Sequence, residues 1–222
     1  SKCKCGGDIM ADLILPSLWE TLYMVFLSTI FSLILGFPLG ILLVITEKDG
    51  IWEKPILNNI LNGIINIFRS FPFIILMILL FPLSRVIVGT TIGTKATIVP
   101  LSIAAGPFVA RVIESSLREV DSGVIEFGLS MGANVPEIVF KILIPEAMPS
   151  LILSITLTII NLVGYSAMAG AIGGGGLGDL AIRFGLYRFQ RDIMIASVII
   201  IILLVQSIQY LGNKLSNTIN KK

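Results

Sequence analysis

Few residues in this chain are of the types and spacings that covalent chemistry needs. There is no histidine, so Ser-His and Cys-His nucleophiles and His-ligated metals have no means of assembly. For that reason Gly164-Tyr165-Ser166-Ala167-Met168, which sets a serine among small residues, is not a hydrolase elbow. The nearest approach to a phosphate-cradling loop, Gly89-Thr90-Thr91-Ile92-Gly93-Thr94-Lys95, lacks both the Gly-Lys-[Ser/Thr] ending and the required spacing. The chain is therefore not expected to be an enzyme, to hydrolyse ATP itself or to hold a cofactor. Cys3 and Cys5 could begin a Cys-x-Cys metal or redox site, but nothing supplies the remaining ligands. They lie in residues 1–10, which read as a leader or an appended sequence. The remaining candidates are polar rather than reactive. Asn59, Asn62, Asn66 and Arg69 recur at three to four residues and so share one helical face, and Asp179 and Arg183 stand four apart as an ion pair on a helix. Groups of this kind line, bind and pair.

The elements that must position them belong in a membrane. Hydrophobic residues make up 55% of the chain and charged residues 14%, against about 25% charged in ordinary soluble domains. Mean hydropathy is +0.95. A net charge of +2 with scattered basic residues points away from nucleic acid. The apolar runs predict a single all-α polytopic domain with five transmembrane helices, at about 18–45, 56–83, 96–112, 151–172 and 193–211. Trp19 and Tyr23 suit a headgroup boundary at the start of the first. Within it, Gly36 and Gly40 flanking Pro38 admit either a close neighbouring helix or a kink. The polar stripe of the second span avoids lipid, so Asn66 and Arg69 either line a water-filled path or pack on protein at the membrane boundary. Phe71-Pro72-Phe73 interrupts that helix. In the third span Pro100, Gly106 and Pro107 predict a broken backbone, which lipid cannot satisfy, and this marks Gly106 and Pro107 as pathway candidates. In the fourth, Tyr165, Ser166 and Met168 are candidates for the pathway or its gate, with plain helix packing as the competing role. The glycines at 173–176 are either a flexible hinge or a tightly packed turn. Orientation does not follow from charge: the two sides would hold eight and seven basic residues, with Arg69 in its span.

Between the third and fourth spans, residues 114–149 are too polar to be embedded yet carry helix signals. Asp121-Ser122-Gly123 supplies N-cap residues for a helix running to Met131 and ending at Gly132. Asn134-Val135-Pro136-Glu137 is a capping-box pattern with Pro136 in the first turn, so a second short helix starts there. Ile138, Val139 and Ile142 give it an apolar stripe, and Pro145 with Pro149 is expected to end it. Two short capped helices meeting at Gly132 make a knob.

The knob also carries a resemblance. Glu126-Phe127-Gly128-x3-Gly132-x9-Ile142-x-Ile144-Pro145 resembles the Glu-Ala-Ala-x3-Gly-x9-Ile-x-Leu-Pro loop of bacterial ABC importer permeases, with Phe127, Gly128 and Ile144 as departures. Three further segments, 66–76, 85–90 and 162–168, look like the methionine importer permeases. The resemblance implies a multi-pass protein of the bacterial plasma membrane, N-terminus outside and C-terminus cytoplasmic, whose loop is a cytoplasmic coupling element. It further implies a homodimer, two copies of an ATPase subunit that hold the ATP and Mg, and an extracellular binding protein or lipoprotein delivering methionine. Glu126 would be a polar anchor, Gly132 the bend, and Ala133, Asn134, Val135, Pro136, Glu137, Ile138 and Phe140 the docking segment closed by Pro145. The rival readings are the same machine for another amino acid, a phosphonate or a quaternary amine, and, more remotely, a stand-alone channel or membrane scaffold.

Overall fold

The computed structural model describes residues 6–220, with side-chain surroundings from Asp12 onward, so Cys3 and Cys5 lie outside the described residues. Among the described residues there is no strand. Ten α-helices follow one another: α1 (Gly6–Ile45), α2 (Pro55–Ser70), α3 (Phe73–Val88), α4 (Thr94–Arg118), α5 (Ser122–Ser130), α6 (Val135–Ile138), α7 (Ile144–Glu146), α8 (Met148–Gly170), α9 (Gly176–Leu180) and α10 (Arg191–Ile219). Stretches Val139–Leu143 and Ala181–Leu186 are wound more widely, as π-turns. Among the described residues, α1 from Asp12 onward and the whole of α4, α8 and α10 are 4 helices long and apolar enough to cross a membrane, and α2 with α3, bent at Phe71-Pro72, passes the same test as a pair, giving up to 5 spans. The break falls where Pro72 removes a donor and restricts Phe71 to extended backbone, with ψ of 131°.

One expectation fails in the third span. α4 runs unbroken through Pro100, Gly106 and Pro107. Each proline removes only one donor, and Gly106 is buried, where the space left by its missing side chain serves packing rather than a backbone opening. A Cβ at Gly36 would lie 2.6 Å from the Gly106 carbonyl oxygen, and one at Gly40 would lie 2.8 Å from that of Ala110. The small pair of the first span therefore admits α4 as a close neighbour, and α1 continues past Pro38 as helix.

By internal contacts the chain falls into two compact units: the chain up to Ile30 with Pro72–Ile103 and Ile159–Ile208, and Phe31–Phe71 with Ala104–Thr158 and the chain from Gln209 onward. In the first unit the glycine segment is a docked turn. The Gly93 N–H donates to the Gly173 carbonyl at 3.0 Å. Two successive side chains of α1 close the start of α9, Glu20 Oε2 accepting from the Gly176 N–H at 2.8 Å and Thr21 Oγ1 from the Leu177 N–H at 2.9 Å. Gly176 has φ +78° and stands so near Thr21 that a Cβ would meet its Oγ1 at 2.6 Å, so no other residue fits there without displacement.

In the second unit a buried apolar cluster, Val109, Ile113, Leu117, Leu143, Ala147 and Leu151, joins α4 to the start of α8. Phe37, Ile41 and Val44 of α1 pack on it from one side, and Val120, Ile125 and Ile144 extend it into residues 114–149. The polar stripe of α2 is partly spent on protein. Asn58, which the spacing argument passed over, donates to the Leu43 carbonyl at 2.7 Å and to Thr46 Oγ1 at 3.1 Å, and Asn62 donates to Asn58 Oδ1 at 2.7 Å.

Gly178 offers a direct check of the close approach in the first unit, because an added Cβ would lie 2.4 Å from the Ala167 carbonyl oxygen and 2.5 Å from its Cα. Backbone cannot swing aside, so Gly178→Ala is expected to cost about 1–3 kcal/mol by overpacking. Thermal denaturation of the detergent-purified protein should show a lowered midpoint, and an unchanged midpoint would mean that α8 and α9 are not in contact.

Candidate functional site

The knob is built from its termini inward. Asp121 accepts the Gly123 N–H on Oδ1 at 2.7 Å and so caps α5. At the other end Gly132 takes φ +81°, the Gly132 N–H bonds the Leu129 carbonyl at 2.9 Å and the Ala133 N–H bonds the Gly128 carbonyl at 3.1 Å. That pair of bonds is the Schellman closure, which needs a residue free to adopt left-handed backbone. Two residues on, Asn134 Oδ1 accepts the Glu137 N–H at 3.0 Å while Glu137 Oε2 accepts the Asn134 N–H at 3.1 Å. The capping box read from the sequence is present in both directions. Lys141 Nζ donates to Glu137 Oε1 at 3.1 Å. These contacts hold the Glu137 carboxyl below its ordinary value, the Asn134 N–H first and Lys141 second.

The second helix does not end at Pro145. α6 passes into the π-turn, the Ile144 N–H reaches back five residues to the Val139 carbonyl, and α7 follows with Pro145 in its first turn. The wider turn carries the chain past a residue that cannot donate to the carbonyl four positions back. Pro145 itself is exposed and borders a cleft of about 780 Å³ with Glu119, Asp121, Glu146 and Ser216.

Burial divides the docking segment into an anchor and a free face. Ile138 and Val139 are buried, so Ile138, expected among the docking residues, holds the segment to its own chain. Gly128 is buried beside it, where a Cβ would meet Ile142 Cδ1 at 2.5 Å, and α5 thus rests directly on the π-turn. Outward stand Phe127 at 67%, Met131 at 73% and Phe140 at 67% exposure. Phe127 and Met131 were missed by the spacing argument, although a phenylalanine in a short polar loop where the resembling loop has alanine was the available signal. Glu126 is exposed and has no side-chain partner among the described residues. Asn134 and Pro136 are also exposed, and Ala133, Val135 and Glu137 partly so.

Beneath the knob a charge network closes the end of α4. Glu114, only 4% exposed, receives Arg111 on one oxygen and Arg118 on the other, each at 2.7 Å. Arg118 also reaches Glu47 at 3.0 Å, and Arg111 donates to Asn66 Oδ1 at 2.8 Å. Asn66, a pathway candidate, is thus tied to α4, whereas Arg69 is exposed with no side-chain partner among the described residues. A buried carboxylate satisfied by two guanidinium groups is stable only as a set, since removing one partner strands a charge.

The other pathway candidates separate in the same manner. Ser166 is buried and donates to the Val163 carbonyl at 2.8 Å, so its hydroxyl is used within its own helix. Met168 is exposed, and Tyr165 is half-buried and stacked on Phe73, centroids 4.3 Å apart. Gly106 is buried in helix packing, and Pro107 beside it is half-buried. The Asp179–Arg183 pair forms as the spacing requires.

Comparison with known proteins agrees with this architecture. Residues 36–216 match the family described as binding-protein-dependent transport system inner membrane component. A Vibrio cholerae protein, Probable D-methionine transport system permease protein MetI, is 49% identical, covering 96% of this chain and 94% of its own. The Bacillus subtilis methionine import system permease protein MetP is 45% identical over 94% of this chain and 96% of its own length. A structure of the MetNI methionine ABC transporter in inward-facing conformations superposes with a TM-score of 0.94 at 42% identity, covering 96% of this chain and 98% of that one.

Two outcomes follow for the knob. Asn134→Ala removes the acceptor of the capping box, costs the short helix roughly 1 kcal/mol, and should raise amide hydrogen exchange at Val135–Ile138 while the spans stay protected. A carboxyl held below its ordinary value stabilises the fold above the ordinary pKa, and that contribution is lost as pH falls through the lowered one. Protection at these amides, corrected for intrinsic exchange, should therefore fall only on acidification below the usual carboxylate range, and Glu137→Gln should abolish that dependence. Equal pH profiles for the two proteins would contradict the assignment.

Proposed function

Because the chain belongs to the family of binding-protein-dependent transport system inner membrane components, we propose that it is the membrane-spanning subunit of an ATP-driven importer that carries methionine inward. The observation that carries this reading is the match to relatives named as methionine permeases along nearly the whole chain. The geometry supports the ATP-driven part: a capped knob presents Phe127, Met131 and Phe140 to solvent, a surface suited to a partner's groove. In this reading two copies of the chain enclose the pathway, two ATPase subunits hold ATP and Mg and receive the knobs, and an extracellular binding protein delivers the substrate. The N-terminus lies outside and the C-terminus in the cytoplasm.

The mechanism is one of differential binding. The knob moves the spans only if the ATPase pair binds it differently in open and closed states. ATP-driven closure draws the two knobs together. Their motion passes through the apolar cluster of Val109, Ile113, Leu117 and Leu143 and through the Glu114 ion pairs into α1, α2, α4 and α8. The spans open outward to receive methionine, and hydrolysis returns them inward. Met168, exposed and flexible, serves as the gate, and Arg69 stands on the path.

Radiolabelled methionine uptake by proteoliposomes holding the permease, its ATPase and its binding protein tests the reading, with other amino acids and phosphonates as competitors. Uptake should require ATP and yield only to methionine-like competitors. The Asn134→Ala complex should insert and assemble yet transport less methionine per ATP. Uptake without ATP, or equal competition by an unrelated solute, would refute it.

A further inference from the structure

α8 crosses the membrane with most of its hydroxyls satisfied within reach. Ser154 bonds Ser116 and the Val112 carbonyl, and Thr156, Thr158 and Ser166 each bond a carbonyl of their own helix. Asn161 does not follow this rule. It sits near the middle of α8, is half-buried, and its amide has no hydrogen-bond partner among the described residues. An amide can donate two bonds and accept two, and hydrocarbon satisfies none of them. The face that carries it must therefore meet water, a passing solute or a second copy of the chain.

The neighbours on that face decide what it fits. Gly164, three residues on, is exposed and has nothing within 4 Å of where a Cβ would point, so there is room beside the amide. Tyr165, four residues on, is held by its stack on Phe73 with planes 7° apart. Met168, seven residues on, is exposed and presents a flexible thioether. At these spacings all three lie on the Asn161 side of the helix. An amide beside open space, a fixed aromatic pair and a thioether suit a small zwitterion with a flexible apolar side chain. The amide N–H groups donate to its carboxylate, the amide oxygen accepts from its ammonium, and the apolar part lies toward Met168.

We propose that Asn161 is the polar contact an amino-acid substrate makes in the membrane-spanning part of the chain, an inference that rests on the importer reading above. The amide is matched in strength to transit, because an uncharged group bonded to the solute's carboxylate and ammonium orients it without holding it as tightly as an ion pair would.

The test uses the complete transporter in proteoliposomes with methionine as the probe. Asn161→Leu should lower methionine moved per ATP about tenfold, the equivalent of one lost hydrogen bond, and Asn161→Gln should restore most of it. With Cys3→Ser and Cys5→Ser in place, the Asn161→Cys thiol should react with a small water-soluble methanethiosulfonate about tenfold faster than a thiol from Leu203→Cys on the apolar α10, and methionine with binding protein and ATP should slow that reaction. Unchanged transport per ATP in Asn161→Leu overturns the proposal, as does a thiol that methionine does not protect. Dissociation of the permease pair in Asn161→Leu, with transport per assembled complex unchanged, also overturns it and makes the amide a bond between two copies. If Asn161→Leu does not assemble, thiol protection alone decides. A wild-type complex that moves no methionine would instead defeat the importer reading, which the same assay reports separately.

Discussion

α6 with the π-turn and α7 that continue it, residues 135–146, is too short to hold in water on propensity alone, so the knob depends on the hydrogen bonds that close its start. The reciprocal pair between Asn134 and Glu137 satisfies donors that would otherwise face solvent at the helix start, and Ile138 and Val139 fix the same turn from below. Cap and anchor act on adjacent residues and from opposite sides. The outer face, with Phe140 exposed, is thereby held in one orientation.

That local order matters because of what lies under it. Leu143 and Ala147 share a buried cluster with Val109, Ile113 and Leu117, so the knob and the C-terminal part of α4 form one packed body. Glu114 adds a constraint of another kind. Buried ion pairs contribute little net stability, but they are costly to break singly, which suits a joint that must keep one geometry. Through Arg118 to Glu47 and Arg111 to Asn66 the joint includes the loop after α1 and the polar side of α2.

The parts of this arrangement that are local in sequence were legible in it. Asp121, Gly132 and Asn134 act on residues two to four positions away, and residue type at fixed spacing reports such bonds directly. The break at Phe71-Pro72 was legible for the same reason. Spacing could not report what depends on distant neighbours. Pro100, Gly106 and Pro107 predicted a break, but the close approach of Gly36 and Gly40 used that thin stretch for packing and the helix stayed whole. Pro145 predicted a stop, but a π-turn absorbed it. The resemblance implies a docking role for Ile138 as part of the whole segment, but a resemblance of sequence does not say which residues of the segment face their own chain, and Ile138 is buried. The Arg111–Glu114–Arg118 spacing drew no reading, and its closure by Glu47 and Asn66 depends on residues distant in the chain.

We propose that the exposed face of the knob is the ATPase contact. A photo-crosslinking phenylalanine analogue placed at Phe140 in the assembled complex tests this, with one at the still more exposed Val86 of α3 as reference. A crosslink to the ATPase subunit is expected from position 140 and none from position 86, with the yield from 140 changing when ATP is bound. A complex that hydrolyses ATP and transports methionine yet gives no ATPase crosslink from position 140 would contradict it.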